Sequence, residues 1–134
     1  MRFFAKFFIA FAAMSFCLSA VAGGDSYDVF VPISKYLAKG DAESLSSWFA
    51  DNLEITIMST TNDSSKNQAK QILKSFFDTH TPRSFEINHK ASSSNSKYAL
   101  GSLNAGGELF EVTIFVSNTK GRYKIQQLKI DRIR

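Results

Sequence analysis

The sequence predicts an α+β domain in which three helices from its N-terminal half pack on a strongly curved, mostly antiparallel sheet. Three observations support this. Apolar residues recur at helical spacing in the N-terminal half, most clearly in Ala69, Ile72, Leu73, Phe76 and Phe77. From Phe85 onward the period becomes two, as strands require. Near the C-terminus that alternation slips by one residue, the mark of a bulge that bends a sheet. Helices first and strands last, without the regular βαβ alternation of a parallel sheet, is the α+β pattern.

The elements follow in order. Val29, Ile33, Tyr36 and Leu37 form one helical stripe, and Pro32 is tolerated only in a first turn, so the first helix should begin near it and end at Gly40. Asp41 is placed to cap a second helix, "AESLSSWFA", whose Leu45, Trp48 and Phe49 share a face. "LEITIM" alternates as a half-buried strand, and "STTNDSS" reads as a polar loop. Ser65 and Gln68 then have capping-box spacing at the start of the long third helix, with Lys66, Lys70 and Lys74 on its wet side. Phe85, Ile87 and His89 alternate in a strand, "ASSSNS" is a loop, and "KYALGSL" is the next strand. "NAGG" turns into "ELFEVTIFVS", and "NTKG" turns into "RYKIQQLKIDRI". In that last segment Tyr123 and Ile125 have one parity and Leu128 and Ile130 the other, which puts the bulge at Gln126–Gln127.

The first 22 residues have a different character. "MRFFAK" is a basic start, residues 7–18 are an apolar run, and "AVA" at residues 20–22 is a small-x-small cleavage site. The run is shorter than the roughly 20 residues of a membrane span. Phe3, Phe4, Phe7, Phe8 and Phe11 leave no polar side for a surface helix. Cleavage after Ala22 is therefore expected, giving a signal peptide over 1–22 and a single exported domain over 23–134, periplasmic or secreted, with no stable membrane span left. Cys17 follows Phe16 where a lipoprotein needs a small residue, and its loss leaves the exported part without thiol or disulfide chemistry. Without Arg2 and Lys6 the charge is 14 Lys+Arg against 12 Asp+Glu. So small an excess, on an exported chain, argues against nucleic acid as a partner.

This order of elements resembles the nuclear transport factor 2-like cone fold over residues 27–133. The segments "KGDAESLSSWF", "ILKSFFDTHTP" and "YKIQQLKID" are similar to those of a small exported family of uncharacterised Bacteroidetes proteins with that fold. The resemblance implies a helix-covered conical sheet with a pocket at its mouth. It transfers no catalytic residue, because the fold hosts isomerases, dehydratases and cyclases beside plain binding and dimerisation modules.

Few residues suggest chemistry. Asp78 and His80 lie at the end of the third helix, where Pro82 forces the chain out of helical geometry. The structural reading is a histidine closing a helix terminus, with Lys74 offsetting Asp78; the chemical one is an acid–base pair. His89 shares the parity of Phe85 and Ile87, which aims it at the apolar side of the sheet. With Tyr98 or Asp78 nearby it would be the base of a cofactor-independent isomerase or cyclase. Tyr36, Trp48, Tyr98 and Tyr123 are candidates to line an aromatic pocket, with His89 as its polar group, although aromatics at such spacing commonly belong to a core. Lys120, Arg122, Lys124, Lys129, Arg132 and Arg134 form a C-terminal basic cluster opposed only by Asp131. It reads as a lure for an acidic surface, lipid headgroup or glycan, or as a solvated sheet edge guarded against aggregation. The sequence carries no metal-ligand spacing, phosphate-binding glycine loop or nucleophile elbow, so no cofactor or metal is expected. Asp25 and Asp28 are paired acids too close to the terminus for a rigid site.

Three functional readings remain. The first is a non-catalytic exported module binding a small apolar ligand or a protein partner through the cone mouth or sheet face. The second is the acid–base enzyme, and the third a homodimer joined through the open sheet face.

Overall fold

The computed structural model describes residues 28–133, so the expected leader and Asp25 lie outside the described residues. Three helices, α1 (Phe30–Lys39), α2 (Ala42–Ser46) and α3 (Lys66–Thr79), cover one face of a sheet. The sheet contains β1 (Phe49–Ile57), β2 (Thr60–Ser65), β3 (Pro82–Ser92), β4 (Ser96–Ala105), β5 (Glu108–Thr119) and β6 (Arg122–Arg132) in the spatial order β2-β1-β6-β5-β4-β3. Only the β1–β6 pair is parallel; the other four are antiparallel.

Local chemistry sets the helix ends. The Asp28 carboxylate accepts from the Phe30 N–H at 2.9 Å, which starts α1 two residues ahead of Pro32 and leaves the proline in the first turn. Gly40 closes α1 in a left-handed conformation and receives Pro82 against its Cα, tying the end of α1 to the start of β3. The Ser65 hydroxyl accepts from the Gln68 N–H at 3.2 Å and opens α3. The second helix is shorter than its apolar pattern suggests. Ser46 and Ser47 hydroxyls donate to the Glu43 and Ser44 carbonyls, and the Ile125 N–H takes the Trp48 carbonyl at 2.6 Å. Serines that bond their own backbone weaken a helix, and pairing with β6 then turns Phe49 into the start of a strand.

The polar stretch "STTNDSS" is also not a loop. Met58 and Ser59 both have positive φ, as a two-residue hairpin turn requires, and Thr60–Ser65 return along β1 as an edge strand. Apart from Ser64 every side chain of that strand is exposed, and a short polar edge resists pairing with other chains.

The core lies between the helices and the inner sheet face. Ile33 and Leu37 of α1, Leu45 of α2 and Leu73 of α3 have no exposed surface, and Phe76 and Phe77 keep only 4% and 6%. Beneath them Val112, Ile114 and Val116 of β5 and Ile125, Leu128 and Ile130 of β6 are fully buried. The slip in β6 is a bulge: Ile125 pairs with Val116 and Gln127 with Phe115, so Gln126 is the extra residue.

Candidate functional site

The stretch "LKSFFDTHTP" folds as a helix terminus joined to a hairpin. The His80 N–H donates to the Phe76 carbonyl at 2.8 Å, completing the last turn of α3. The His80 ring lies flat on Phe76, with centroids 4.8 Å apart and planes 9° from parallel, and meets the edge of Phe110 at 5.5 Å. The β4–β5 turn docks on this corner: the Gly106 N–H donates to the Thr81 carbonyl, and a side chain at Gly106 would press on the His80 backbone. That contact brings Glu108 within 3.9 Å of His80 Nε2, and Arg132 holds Glu108 by a 2.8 Å hydrogen bond. Arg132 accordingly keeps the Glu108 carboxyl below the ordinary carboxylate range.

Thr79 Oγ1 lies 3.1 and 3.3 Å from the last carbonyl oxygens of α3, those of Phe76 and Ser75, and 2.8 Å from His80 Nδ1. The hydroxyl has one proton for these acceptors, so its direction toward the imidazole goes with the tautomer of His80. The corner is built as a clamp: it fastens α3 to the β4–β5 hairpin. Asp78 is exposed and takes no part in it, and no ion pair joins it to Lys74 among the described residues.

His89 does not face the apolar side. A second bulge, at Asn88, lies in β3: Ile87 pairs with Gly101, but His89 pairs with Leu100. The extra residue reverses the facing of everything after it, which exposes His89 and turns Lys90 toward α1. Lys90 Nζ meets Asp28 Oδ2 at 2.6 Å. Burial alone would raise the Asp28 carboxyl, but the Lys90 ammonium and the Phe30 N–H outweigh it and hold the carboxyl below its ordinary range. Among the described residues, neither the Tyr98 hydroxyl nor the Asp78 carboxylate hydrogen-bonds His89.

The expected aromatic pocket divides between two faces. Tyr36, Trp48 and Tyr123 are partly buried and pack against the core from its margins. Tyr98 alternates with the buried Ala99 and lies on the opposite, helix-free face, next to Phe115, its partner in the β4–β5 ladder. Sequence spacing also missed Glu108 and Thr79 as neighbours of His80. The "NAGG" signal located the hairpin but said nothing of the helix on which it would land.

Over residues 30–131 the sequence matches the family described as "Domain of unknown function (DUF4783)". The chain belongs to this family. A DUF4783 protein from Bacteroides uniformis superposes with a TM-score of 0.77 at 23% identity, covering 80% of this chain and 99% of its own. One from Bacteroides fragilis gives 0.75 at 22% identity, covering 79% of this chain and 100% of its own. A Streptomyces avermitilis protein from the nuclear transport factor 2-like (NTF2-like) family gives 0.59 at 10% identity, covering 78% and 92%. These likenesses establish the fold: the DUF4783 domain is an NTF2-like α+β cone. No curated protein matches the sequence.

Proposed function

We propose that this DUF4783 protein is an exported, non-catalytic interaction module whose helix-free sheet face docks a protein partner, most simply a second copy of itself. The observation that carries the reading is how the cone is filled. Ile33, Leu37, Leu45, Phe49, Leu73 and Phe110 are fully buried between helices and sheet, so side chains occupy the interior where a ligand would otherwise sit. The opposite face is different. Tyr98, Leu100 and Phe115 sit there half-buried, outside the core cluster and uncovered by any helix among the described residues. Tyr98 and Phe115 are direct cross-strand neighbours, and Leu100 is two residues along on the same face. An aromatic and aliphatic centre with a polar surround (Glu54, Gln127, Lys129) matches the anatomy of a docking surface. The leader-like residues 1–22 and the lack of a thiol after them support work outside the cytoplasm.

The test is native mass spectrometry of the protein recovered after export, beside a Phe115→Lys variant whose folding is checked by circular dichroism. A dimer that dissociates in the folded variant supports the reading. A monomer carrying a retained small molecule, or a dimer indifferent to Phe115, refutes it.

A further inference from the structure

Arg134 lies outside the described residues, and the fold divides the rest of the C-terminal basic cluster in two. Lys129 lies 3.6 Å from Asp131, and Arg132 is bonded to Glu108. Lys120, Arg122 and Lys124 have no carboxylate within salt-bridge distance among the described residues. Instead these three line one wall of a groove of about 540 Å³, whose other wall is Phe49–Asn52. That volume falls within the range of about 300–1,000 Å³ expected of ligand sites. The Lys124 ammonium is held at the wall by the Ser47 carbonyl, 2.9 Å away. Burial lowers its pKa, and the positive charges of Lys66 and Arg122 lower it further, with Asp51 the one opposing influence. A bound anion would relieve that crowding.

The groove opens where the β1–β6 ladder is interrupted: it pairs Phe49 with Ile125 and resumes only at Glu54 with Gln127. Arg122 and Lys124 are two residues apart on one strand, a repeat of about 6.6 Å, which carboxylates at alternate positions of an extended peptide would match.

We propose that this groove binds an extended acidic peptide segment of a partner protein, its alternate carboxylates meeting Arg122 and Lys124. The site is separate from the helix-free face and stands whether or not that face docks a partner. The two-residue spacing of Arg122 and Lys124 along one strand favours an extended peptide over a sulfated glycan, which would use the charges alone.

The test is fluorescence anisotropy of the purified protein with fluorescein-labelled Glu-Thr-Glu-Thr-Glu-Thr at two salt concentrations. Saturable binding that weakens with salt is expected, with a loss of at least about tenfold in Arg122→Gln/Lys124→Gln, because charge-assisted pairs at an interface are worth more than one decade of affinity. Lys74→Gln, on the exposed side of α3, should bind as the unaltered protein does, and Asp51→Asn should bind more tightly. Thermal melts confirm that each variant is folded. Absence of binding, or indifference to the double variant, overturns the proposal. So does equal affinity for Glu-Glu-Glu-Thr-Thr-Thr, or tighter binding of a sulfated hexasaccharide through the same residues.

Discussion

Gly101 gives the sharpest test of how the sheet is curled. It lies inside β4, buried, opposite Ile87 of β3 and Val112 of β5, and adjoins the bulge at Asn88. A Cβ at this position would stand 2.6 Å from the Glu86 carbonyl oxygen and 2.6 Å from Phe85 Cζ. Comfortable carbon contacts begin at about 3.5 Å, so both neighbours would have to retreat. The Phe85 ring can swing aside, but the Glu86 carbonyl belongs to the β3 backbone and moves only with its ladder. Overpacking of this kind costs about 1–3 kcal/mol, whereas Gly→Ala in an unobstructed strand gains about 0.5–1 kcal/mol. Gly101→Ala is therefore expected to destabilise the protein by about 2 kcal/mol by urea denaturation. The melting temperature should fall by roughly 8–15 °C, given about 4–8 °C per kcal/mol for small domains. In a Phe85→Leu background the alanine should cost less, since only the carbonyl clash remains. A Gly101→Ala protein within about 0.5 kcal/mol of the original, a change typical of surface sites, would show that the close approach of β3 does not hold the curvature.

Two further outcomes test the helix ends. Ser65→Ala removes the acceptor for the Gln68 N–H and should cost about 1 kcal/mol in urea melts; an unchanged midpoint would mean the cap contributes nothing. The Asp28–Lys90 pair sets an acid dependence. Its carboxyl is depressed in the folded state, so its stabilisation is present above the ordinary aspartate value near 3.9 and fades as pH falls through the lower folded value. Melting temperatures across the acid range should fall less steeply in Lys90→Met, and coincident acid limbs would discard the pair as a contributor.

The sequence showed most where one signal decided the outcome. The period of 3.6 in Ala69–Phe77, the glycine turns at Gly106 and Gly121 and the parity slip at Gln126 each have a local cause, and each is present in the fold. What stayed hidden depended on partners distant in sequence. Thr60–Ser65 is too polar to look like a strand, yet β1 captures it across a two-residue turn. Phe49 carries a helical pattern, but β6, more than seventy residues later, pulls it into a parallel ladder. The facing of His89 is not legible in the sequence because nothing in "FEINHK" distinguishes Asn88 as a bulge; the shift exists only in the pairing with Gly101 and Leu100. The basic cluster could be seen as charge, but its division required knowing that Glu108 and Asp131 fold back on two of its members.

The bulges at Asn88 and Gln126 connect architecture to function. Each adds one residue to one strand of a pair, which increases local twist and inverts the facing of the residues that follow. On β3 the inversion at Asn88 puts His89 into solvent and brings the exposed Lys90 against Asp28, fastening the edge strand to the start of the first helix. On β6 the inversion at Gln126 carries Leu128 and Ile130 into the core beside Ile125, so the strand stays buried through its bend. Its cost falls on the neighbour: the β1–β6 ladder is interrupted between Phe49 and Glu54, beside Arg122 and Lys124. The bulges that bend the sheet thus turn His89 away from the interior and open a groove lined by cations that have no carboxylate within salt-bridge distance among the described residues.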